Sequence, residues 1–507
     1  MRGLWRRAWD VTMPRVTTDQ GIAGSISALV DEARERARRH PEVTYAEVRW
    51  VRERTERLRA RDGRLDEMAQ KESSGFGIRV LARGAWGFAC TPAATSEALA
   101  RAVDAAIAVA LASAKVAIVP VRFPEREAEV GSYETPLRID PFTVPLDRKT
   151  ADLLAPIERL LRDGKPVESA EAWMSWTRIE KLLATSEGTR VEQRLVYGGV
   201  GMMVIAVSED GRVQRRTYPT FRGAESAQGG YEIVEAVDLL GNAERVRDEV
   251  VALLQAPPCP SRRTDVILAS DQLALQIHES AGHPTELDRA LGTEISLAGG
   301  SFLQPSLLGT FRYGSPLVTI VADSTTPGGL GTFGWDDEGT RARKVPLVKD
   351  GIFVDYLSSR ESAAALGRES TGTMRADGYA RIPLVRMVNV SLEPREGTLE
   401  DLIADTRDGI LLQTNKSWSI DDLRLDFQFG CEMAWEIKNG KRTRLLRDAI
   451  YAGRTPDFWR SCDAITGPEE FRLWGITNCG KGSPMQIMQV GHGASPARFR
   501  SVEVGCS

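Results

Sequence analysis

The 507-residue sequence predicts an α+β fold, with an N-terminal domain of strand meanders and long helices and a β-dominated C-terminal domain. Two observations carry this prediction. Up to residue 255, β-rich runs with tight turns alternate with apolar stripes at helical spacing. Beyond residue 292, short β-rich runs and glycine-rich turns prevail. The length admits two large domains or about three of ordinary size.

The predicted N-terminal domain covers residues 21–256 and follows a basic extension of residues 1–20. Glycines recur in corresponding strands of its two meanders, at Gly75 and Gly77 and again at Gly199 and Gly201, which suggests an internal duplication. In chain order we expect a helix ending near His40, a meander over 45–88, a helix over 95–114, a proline-rich linker over 119–145, a helix over 149–162, a second meander over 172–217 and a helix over 234–254.

The predicted C-terminal domain covers residues 257–507 and begins after a proline-rich stretch at 256–260. A strand over 265–268 leads into a helix that carries His278. Short strands follow, with one helix near 399–406. The site proposed below therefore lies on a helix near the domain boundary.

Composition excludes several classes of function. Lysine and arginine total 66 against 70 acidic residues, and this balance gives no reason to expect nucleic-acid binding. The most apolar helical stretch is interrupted by Asp104, Lys115 and Pro120, which argues against a membrane span. No signal peptide is recognised, and the 6 cysteines form no CxxC pair. These features predict a cytoplasmic protein.

One motif concentrates the chemistry. Two of the 4 histidines, His278 and His283, lie five residues apart, and Glu279 follows the first. On an ideal helix this interval is roughly 500°, so the second ring would lie about 140° away from the first. The histidines can converge on a metal only if the helix widens into a π-type turn or ends between them. We expect Gly282 and Pro284 to provide the break, through unusual dihedral angles at Gly282 and a non-helical His283.

A catalytic zinc site needs a third protein ligand. Cys479 is the favoured candidate, because glycines allow a close backbone approach and Lys481 would favour the thiolate. His492 and Cys462 are the competitors. An inert buried thiol at Cys479 is the alternative interpretation.

Several blocks of sequence together resemble the TldD/PmbA family of metallopeptidases, once called modulators of DNA gyrase. The resemblance implies that zinc is bound by His278, His283 and Cys479, that Glu279 is the catalytic glutamate, and that the chain is of the active TldD type. It implies no role for residues 1–15 or for His492. The blocks are HESAGHPTE, LDRALG, GTFGWDDEG, ESTGTMRADGYARIPLVRMVN and TNCGKG, together with GFGIRVLARGAWGFA near the N-terminus.

The predicted function is a zinc-dependent peptidase that hydrolyses unfolded or short peptides, with Glu279 taking a proton from the attacking water. The resemblance also implies that the peptide is held by strand addition and that the chain forms a homodimer or a heterodimer with a PmbA/TldE-like subunit. A non-catalytic scaffold or partner subunit, with a structural or absent metal, is the alternative. A regulator of DNA or gyrase is disfavoured by the near-neutral charge.

Two further segments are ambiguous in the sequence. The run at 328–331 resembles a phosphate loop only superficially, and we interpret it as a structural turn. The acidic residues 336–338 either position a peptide N-terminus, support the metal ligands or form a solvated loop.

Arg381, Arg386 and Met387 match a block of the family, but the residues themselves indicate no role for them.

Overall fold

The computed structural model describes residues 24–162, 164, 166–221, 225–297 and 299–506, so the predicted basic extension lies outside the described residues. Its N-terminal half joins long hairpins and helices, and its C-terminal half is strand-rich. The predicted α+β class is therefore confirmed. Within the described part of the chain, none of the helices combines the length and apolar character that crossing a bilayer requires.

Two long hairpins form the N-terminal eight-stranded sheet, because their strands β1 and β5 pair side by side in antiparallel order. The hairpin strands are β1 (Val43–Arg61) and β2 (Arg64–Ala82), then β5 (Val167–Thr185) and β6 (Arg190–Val207). The remaining strands are β3 (Ala85–Thr91), β4 (Val130–Glu134), β7 (Val213–Tyr218) and β8 (Glu225–Gln228).

Helices cover one face of this sheet in two groups. The first group is α1 (Gly24–Arg38) and α2 (Ser96–Ala114), and it packs on the first hairpin. The second group is α3 (Leu146–Leu161), α4 (Glu232–Val237) and α5 (Leu239–Gln255), and it packs on the second hairpin. Each group buries its own apolar core, and the other face of the sheet meets the C-terminal half.

Two predicted elements differ from the structure. The predicted linker contains β4, which joins the sheet by pairing in parallel with β6. The helix expected over 234–254 is two helices, because Asp238 adopts a left-handed conformation with φ 50° and its side chain accepts a hydrogen bond from the Gly241 N–H. A side-chain cap of this kind begins a new helix.

The C-terminal half is built around a seven-stranded sheet, a four-stranded sheet and a separate hairpin. The seven-stranded sheet holds β9 (Arg262–Leu268), β16 (Asp408–Ile420), β17 (Asp426–Lys438), β18 (Lys441–Leu446), β19 (Ala449–Arg454), β20 (Cys462–Ile465) and β23 (Ala497–Cys506). The four-stranded sheet holds β10 (Ile320–Asp323), β11 (Lys344–Lys349), β12 (Ile352–Phe353) and β15 (Val390–Leu392). The separate hairpin is β21 (Arg472–Lys481) and β22 (Gln486–Ala494), and a short pair is β13 (Met374–Arg375) and β14 (Leu384–Val385).

Short helices connect these strands. They are α6 (Ser270–Ile277), α7 (Leu287–Ala290), α8 (Arg360–Ala365), α9 (Leu399–Ala404) and α10 (Thr455–Arg460). The helix predicted near 399–406 corresponds to α9. One extended core of apolar side chains lies between the two larger sheets and α6.

A loop of the C-terminal half packs against the glycines of the first hairpin. A Cβ on Gly75 would lie 2.6 Å from the Tyr379 ring, and a Cβ on Gly77 would lie 2.4 Å from the Tyr379 carbonyl oxygen. Arg49 on β1 donates hydrogen bonds to the carbonyls of Gly378 and Arg381. Residues 378–381 therefore dock on the N-terminal sheet, and Arg381 takes part through its backbone.

The acidic residues 336–338 are buried, so the interpretation as a solvated loop is wrong. Asp337 accepts a hydrogen bond from Lys181, and Glu338 accepts one from Arg79, both on the N-terminal sheet. Opposite charges on the facing sheet compensate the cost of burying these carboxylates. The triplet joins the two halves of the chain.

The glycine-rich run at 328–331 is a structural turn, as predicted. The Asn389 side-chain oxygen accepts a hydrogen bond from the Gly331 N–H at 2.9 Å. A Cβ on Gly331 would lie 2.2 Å from the Val388 carbonyl carbon, so the glycine is needed for close packing.

Candidate metal centre

Two imidazoles and one thiol converge at the start of the C-terminal half. Ligand atoms of His278, His283 and Cys479 all lie within 4.8 Å of one another, and the three side chains are buried. The His283 Nε2 is 3.8 Å from the Cys479 Sγ. The sequence prediction named these three residues, and the fold brings them together.

The convergence of the histidines comes from a π-helical turn. Helix α6 continues into a π turn over His278–Gly282, in which the His283 N–H donates to the His278 carbonyl five residues earlier. Residues five apart share a face in this wider turn. The two imidazole rings accordingly lie 4.8 Å apart between centroids, at 84° to each other. Of the two routes expected from the spacing, the structure uses the widened helix.

The predicted roles of Gly282 and Pro284 are wrong. Gly282 has φ −63° and ψ −61°, and His283 has φ −62° and ψ −44°, which are ordinary right-handed helical values. Gly282 is required for space, because a Cβ there would lie 2.0 Å from the Met387 Sδ. Pro284 lies in the first turn of a short 3₁₀ helix over His283–Thr285, where its missing N–H costs little.

Cys479 reaches the site from strand β21, opposite Met488 on β22. The buried Arg386 guanidinium donates to the Cys479 carbonyl and to the Gln486 carbonyl, which ties together the two strands of the hairpin. Burial by itself raises the pKa of the Cys479 thiol, but His283 and Arg386 outweigh it and hold this pKa below its usual value. A lowered pKa favours the thiolate that a metal binds.

Lys481 does not have the predicted role beside the thiol. Its ammonium group donates to Asp288 Oδ1 and to the Val385 carbonyl, each at 2.7 Å. Lys481 is also 3.5 Å from Glu286 Oε1. The pKa of the thiol is lowered by His283 and Arg386, whereas Lys481 is engaged by the carboxylates behind His283.

A carboxylate holds the far side of the His283 ring. His283 Nδ1 is 3.1 Å from Glu286 Oε2, and Arg289 donates to the same oxygen at 2.6 Å. Burial alone would raise the pKa of Glu286, but Lys481 and Arg289 hold it well below its usual value. Glu286 is therefore an anion. Its position three residues after His283 is a local signal that the sequence analysis missed.

Another imidazole holds the far side of the His278 ring. His278 Nδ1 is 2.8 Å from His492 Nε2, and His492 Nδ1 is 3.0 Å from the Val390 carbonyl oxygen. Burial lowers the pKa of His278 to about 4 and the pKa of His492 well below its usual value, so both rings are neutral. The competitor His492 thus lies behind His278, on the side away from His283 and Cys479. The other competitor, Cys462, lies on β20, where its Sγ is 3.9 Å from the Ala464 carbonyl oxygen.

Glu279 forms an ion pair beside the cluster. Arg424 Nη1 donates to Glu279 Oε2 at 2.7 Å, and both side chains are buried at the wall of a cavity of about 420 Å³. His278, His283 and Cys479 line the same cavity. Its apolar wall consists of Phe221, Leu275, Leu297, Trp418, Ile420 and Ile476. No signal in the sequence pointed to Arg424, because it lies on the loop between β16 and β17, far along the chain from Glu279.

The donor set fits a zinc ion. Two neutral imidazole nitrogens and one thiolate are ligands that zinc takes in catalytic sites, with a fourth position left for water. In a tetrahedral site these ligand atoms would be roughly 3.3–3.7 Å apart. The separation of 3.8 Å between His283 Nε2 and Cys479 Sγ is close to this range.

Comparisons with known proteins cover most of the chain. Family models match residues 46–110, 139–254 and 261–505 and are described as PmbA/TldA metallopeptidase domain 1, central domain and C-terminal domain. A metalloprotease of Methanothermobacter thermautotrophicus is 30% identical over 472 residues, which are 91% of this chain and 96% of that protein. A zinc metalloprotease TldD homolog of Saccharolobus solfataricus is 24% identical over 287 residues, 55% of this chain and 60% of that protein.

A solved structure shares the fold. It is the crystal structure of a proposed modulator of DNA gyrase from Thermotoga maritima. It matches with a TM-score of 0.72 at 19% identity and covers 94% of this chain and 100% of that one. At this identity the likeness concerns the fold alone.

Proposed function

The chain belongs to the PmbA/TldD family of metallopeptidases, and we propose that it is a zinc-dependent peptidase that hydrolyses unfolded or short peptides. The observation that carries this proposal is the position of Glu279 at the wall of the cavity that His278, His283 and Cys479 also line. A structural zinc site is closed and has no use for an acidic side chain next to a ligand.

His278, His283 and Cys479 would hold the metal. When bound, zinc supplies Lewis acidity, which lowers the pKa of a water molecule and polarises the carbonyl of the scissile bond. The two neutral imidazoles and the thiolate leave part of the charge of the metal uncompensated, which favours this chemistry.

Glu279 would act as the base and then as the acid. Its Oε2 is held by Arg424, so we assign Oε1 to the attacking water. The carboxylate takes a proton from this water and passes it to the nitrogen of the leaving amine. By holding Oε2, Arg424 fixes the carboxylate in one orientation at the wall of the cavity.

The separate hairpin provides an edge for an extended peptide. Within the described residues, β21 pairs only with β22, and residues 475–480 of β21 line the cavity. A peptide bound as a third strand would gain main-chain hydrogen bonds irrespective of its side chains. Unfolded or short peptides can adopt such an extended conformation at any position, so they are the proposed substrates. Assembly into a homodimer, or into a heterodimer with a PmbA/TldE-like subunit, stays a prediction that light scattering can test.

Mass spectrometry of products from a mixture of unstructured peptides tests the function. The zinc-loaded wild type should cleave, whereas Glu279→Gln should bind zinc equally well and lose cleavage. Glu369→Gln, at a carboxylate with 91% of its side chain exposed, is the matched control and should cleave like the wild type. A zinc-loaded wild type that cleaves nothing, alone or with a partner subunit, would support the non-catalytic scaffold. Full activity of Glu279→Gln would contradict the assignment of the base.

A further inference from the structure

We propose that His492 is a positioning residue for the metal, because it fixes His278 in the tautomer that carries hydrogen on Nδ1 and leaves Nε2 free to bind the ion. The inference rests on the proposed function to the extent that it takes His278 as a ligand. It concerns a residue for which neither the motif nor the family resemblance provides a role.

The first step is the proton on His492. Its Nδ1 is 3.0 Å from the Val390 carbonyl oxygen, which can only accept, so Nδ1 must carry the hydrogen. His492 is completely buried, and its two ring contacts are an uncharged carbonyl and an uncharged imidazole. No group in these contacts compensates a positive charge, so the ring is neutral and its Nε2 is an acceptor.

The second step transfers this constraint to His278. The 2.8 Å between His278 Nδ1 and His492 Nε2 requires one hydrogen between the two nitrogens. Since His492 Nε2 accepts, the hydrogen belongs to His278 Nδ1. The lone pair of the neutral His278 ring is then on Nε2. The two rings are nearly perpendicular, at 88°.

The third step compares the two histidine ligands. His283 reaches the same tautomer through a different partner, the Glu286 carboxylate 3.1 Å from its Nδ1. His278 depends on a neutral imidazole instead. His492 lies on β22 opposite Trp474 of β21, the strand that carries Cys479. One hairpin therefore supplies both the thiol and the ring that orients His278, and the hairpin must be in place before either function is complete.

Zinc affinity of two variants tests the proposal. Zinc binding is measured by competition with a chromogenic chelator in the full chain, without peptide. His492→Leu replaces the imidazole by an apolar side chain of similar size and removes the acceptor, so its zinc affinity should fall about 10- to 100-fold. His492→Gln should recover most of the affinity, because its amide oxygen can accept from His278 and its amide nitrogen can donate to Val390. In the visible absorption spectra of the cobalt-loaded proteins, the glutamine variant should likewise resemble the wild type more closely than the leucine variant does.

His40→Gln is the matched control, because His40 lies just beyond helix α1, outside the site, and its loss should leave zinc affinity unchanged. Affinity of His492→Leu equal to that of the wild type, in a protein with the wild-type unfolding temperature, would overturn the proposal. So would a glutamine variant as impaired as the leucine variant.

A second measurement keeps the proposal testable if His492→Leu does not fold. The chain has only 4 histidines, so selective ¹⁵N-histidine labelling gives a spectrum that can be assigned. The metal-free wild type should show His278 protonated on Nδ1, and protonation on Nε2 would overturn the proposal. A wild type that binds zinc with these properties but cleaves no peptide would contradict the proposed function and leave the role of His492 intact.

Discussion

Gly282 and Met387 are packed so closely that a side chain at residue 282 would require Met387 to move. The position where a Cβ would lie is 2.0 Å from the Met387 Sδ and 3.2 Å from its Cγ. Gly282 belongs to the π turn that aligns His278 with His283. The packing of Met387 therefore favours glycine at this position of the motif.

Replacing Gly282 with alanine should destabilise the protein and weaken zinc binding. The backbone at Gly282 is ordinary helical, so alanine on its own would be stabilising by about 0.5–1 kcal/mol. The clash with Met387 reverses the sign and should cost about 1–3 kcal/mol. Denaturant unfolding measures the change. Met387→Ala in the same chain should relieve part of the cost, and additive effects of the two substitutions would argue against the contact.

Breaking the ion pair beside the cavity should abolish cleavage with zinc still bound. Arg424→Met leaves the Glu279 carboxylate buried without its donor, at a cost of about 2–3 kcal/mol in the free energy of unfolding. Peptide cleavage and zinc content are measured together. Glu279→Gln combined with Arg424→Met should be more stable than Arg424→Met alone, because no buried charge is left uncompensated. A double variant less stable than both single variants would show that the pair is not coupled in this way.

The apolar wall of the cavity should select the side chain next to the scissile bond. Phe221 and Trp418 form an edge-to-face pair with ring centroids 5.2 Å apart. They give an apolar surface to the cavity that His278, His283 and Cys479 also line. Trp418→Ala should lower kcat/KM for peptides with large apolar residues by about 10-fold or more. Peptides that differ only in having a small residue at that position are the control, and an equal loss for both sets would contradict a role in side-chain selection.

Asp336 should make stability depend on pH. Burial, together with the neighbouring Glu338, raises the pKa of Asp336 from 3.8 to about 7. The folded state therefore binds a proton that the unfolded state has released between these values, so this contribution to stability is complete below pH 4 and is lost as pH rises to about 7. Asp336→Asn removes the titratable group. As pH rises over this range, the free energy of unfolding of the wild type should fall relative to that of the variant. A difference that does not change with pH would contradict the raised pKa.

The sequence predicted which three side chains converge, but it predicted less of what surrounds them. The five-residue interval between His278 and His283 left two possible routes to convergence, and the interval itself does not distinguish them. The packing of Gly282 against Met387, a residue distant in the chain, was equally invisible in the sequence. Rarity singled out the histidines and Cys479, because few residue types bind zinc. Arg424 is one of many arginines, and only the three-dimensional arrangement distinguishes it.

The fold was predictable where local patterns dominate. The long hairpins and most helices follow from periodicity and turn residues, and their order along the chain is the predicted one. Strand β4 and the break at Asp238 were missed. A five-residue strand at a sheet edge is stabilised by its partner β6, and a single capping side chain interrupts an otherwise helical pattern.

The loop at 378–381 links the N-terminal sheet to the residues around the candidate metal centre. It is clasped by Gly75, Gly77 and Arg49 of the N-terminal sheet. From there the chain runs through β14 directly into Arg386 and Met387, which support Cys479 and Gly282. The residues that dock on the N-terminal sheet and the residues that contact Cys479 and Gly282 therefore belong to one short segment of the chain. In this sense the N-terminal half supports the candidate metal centre. Removing that half would leave the C-terminal portion with the three candidate ligands but without the contacts that anchor this segment.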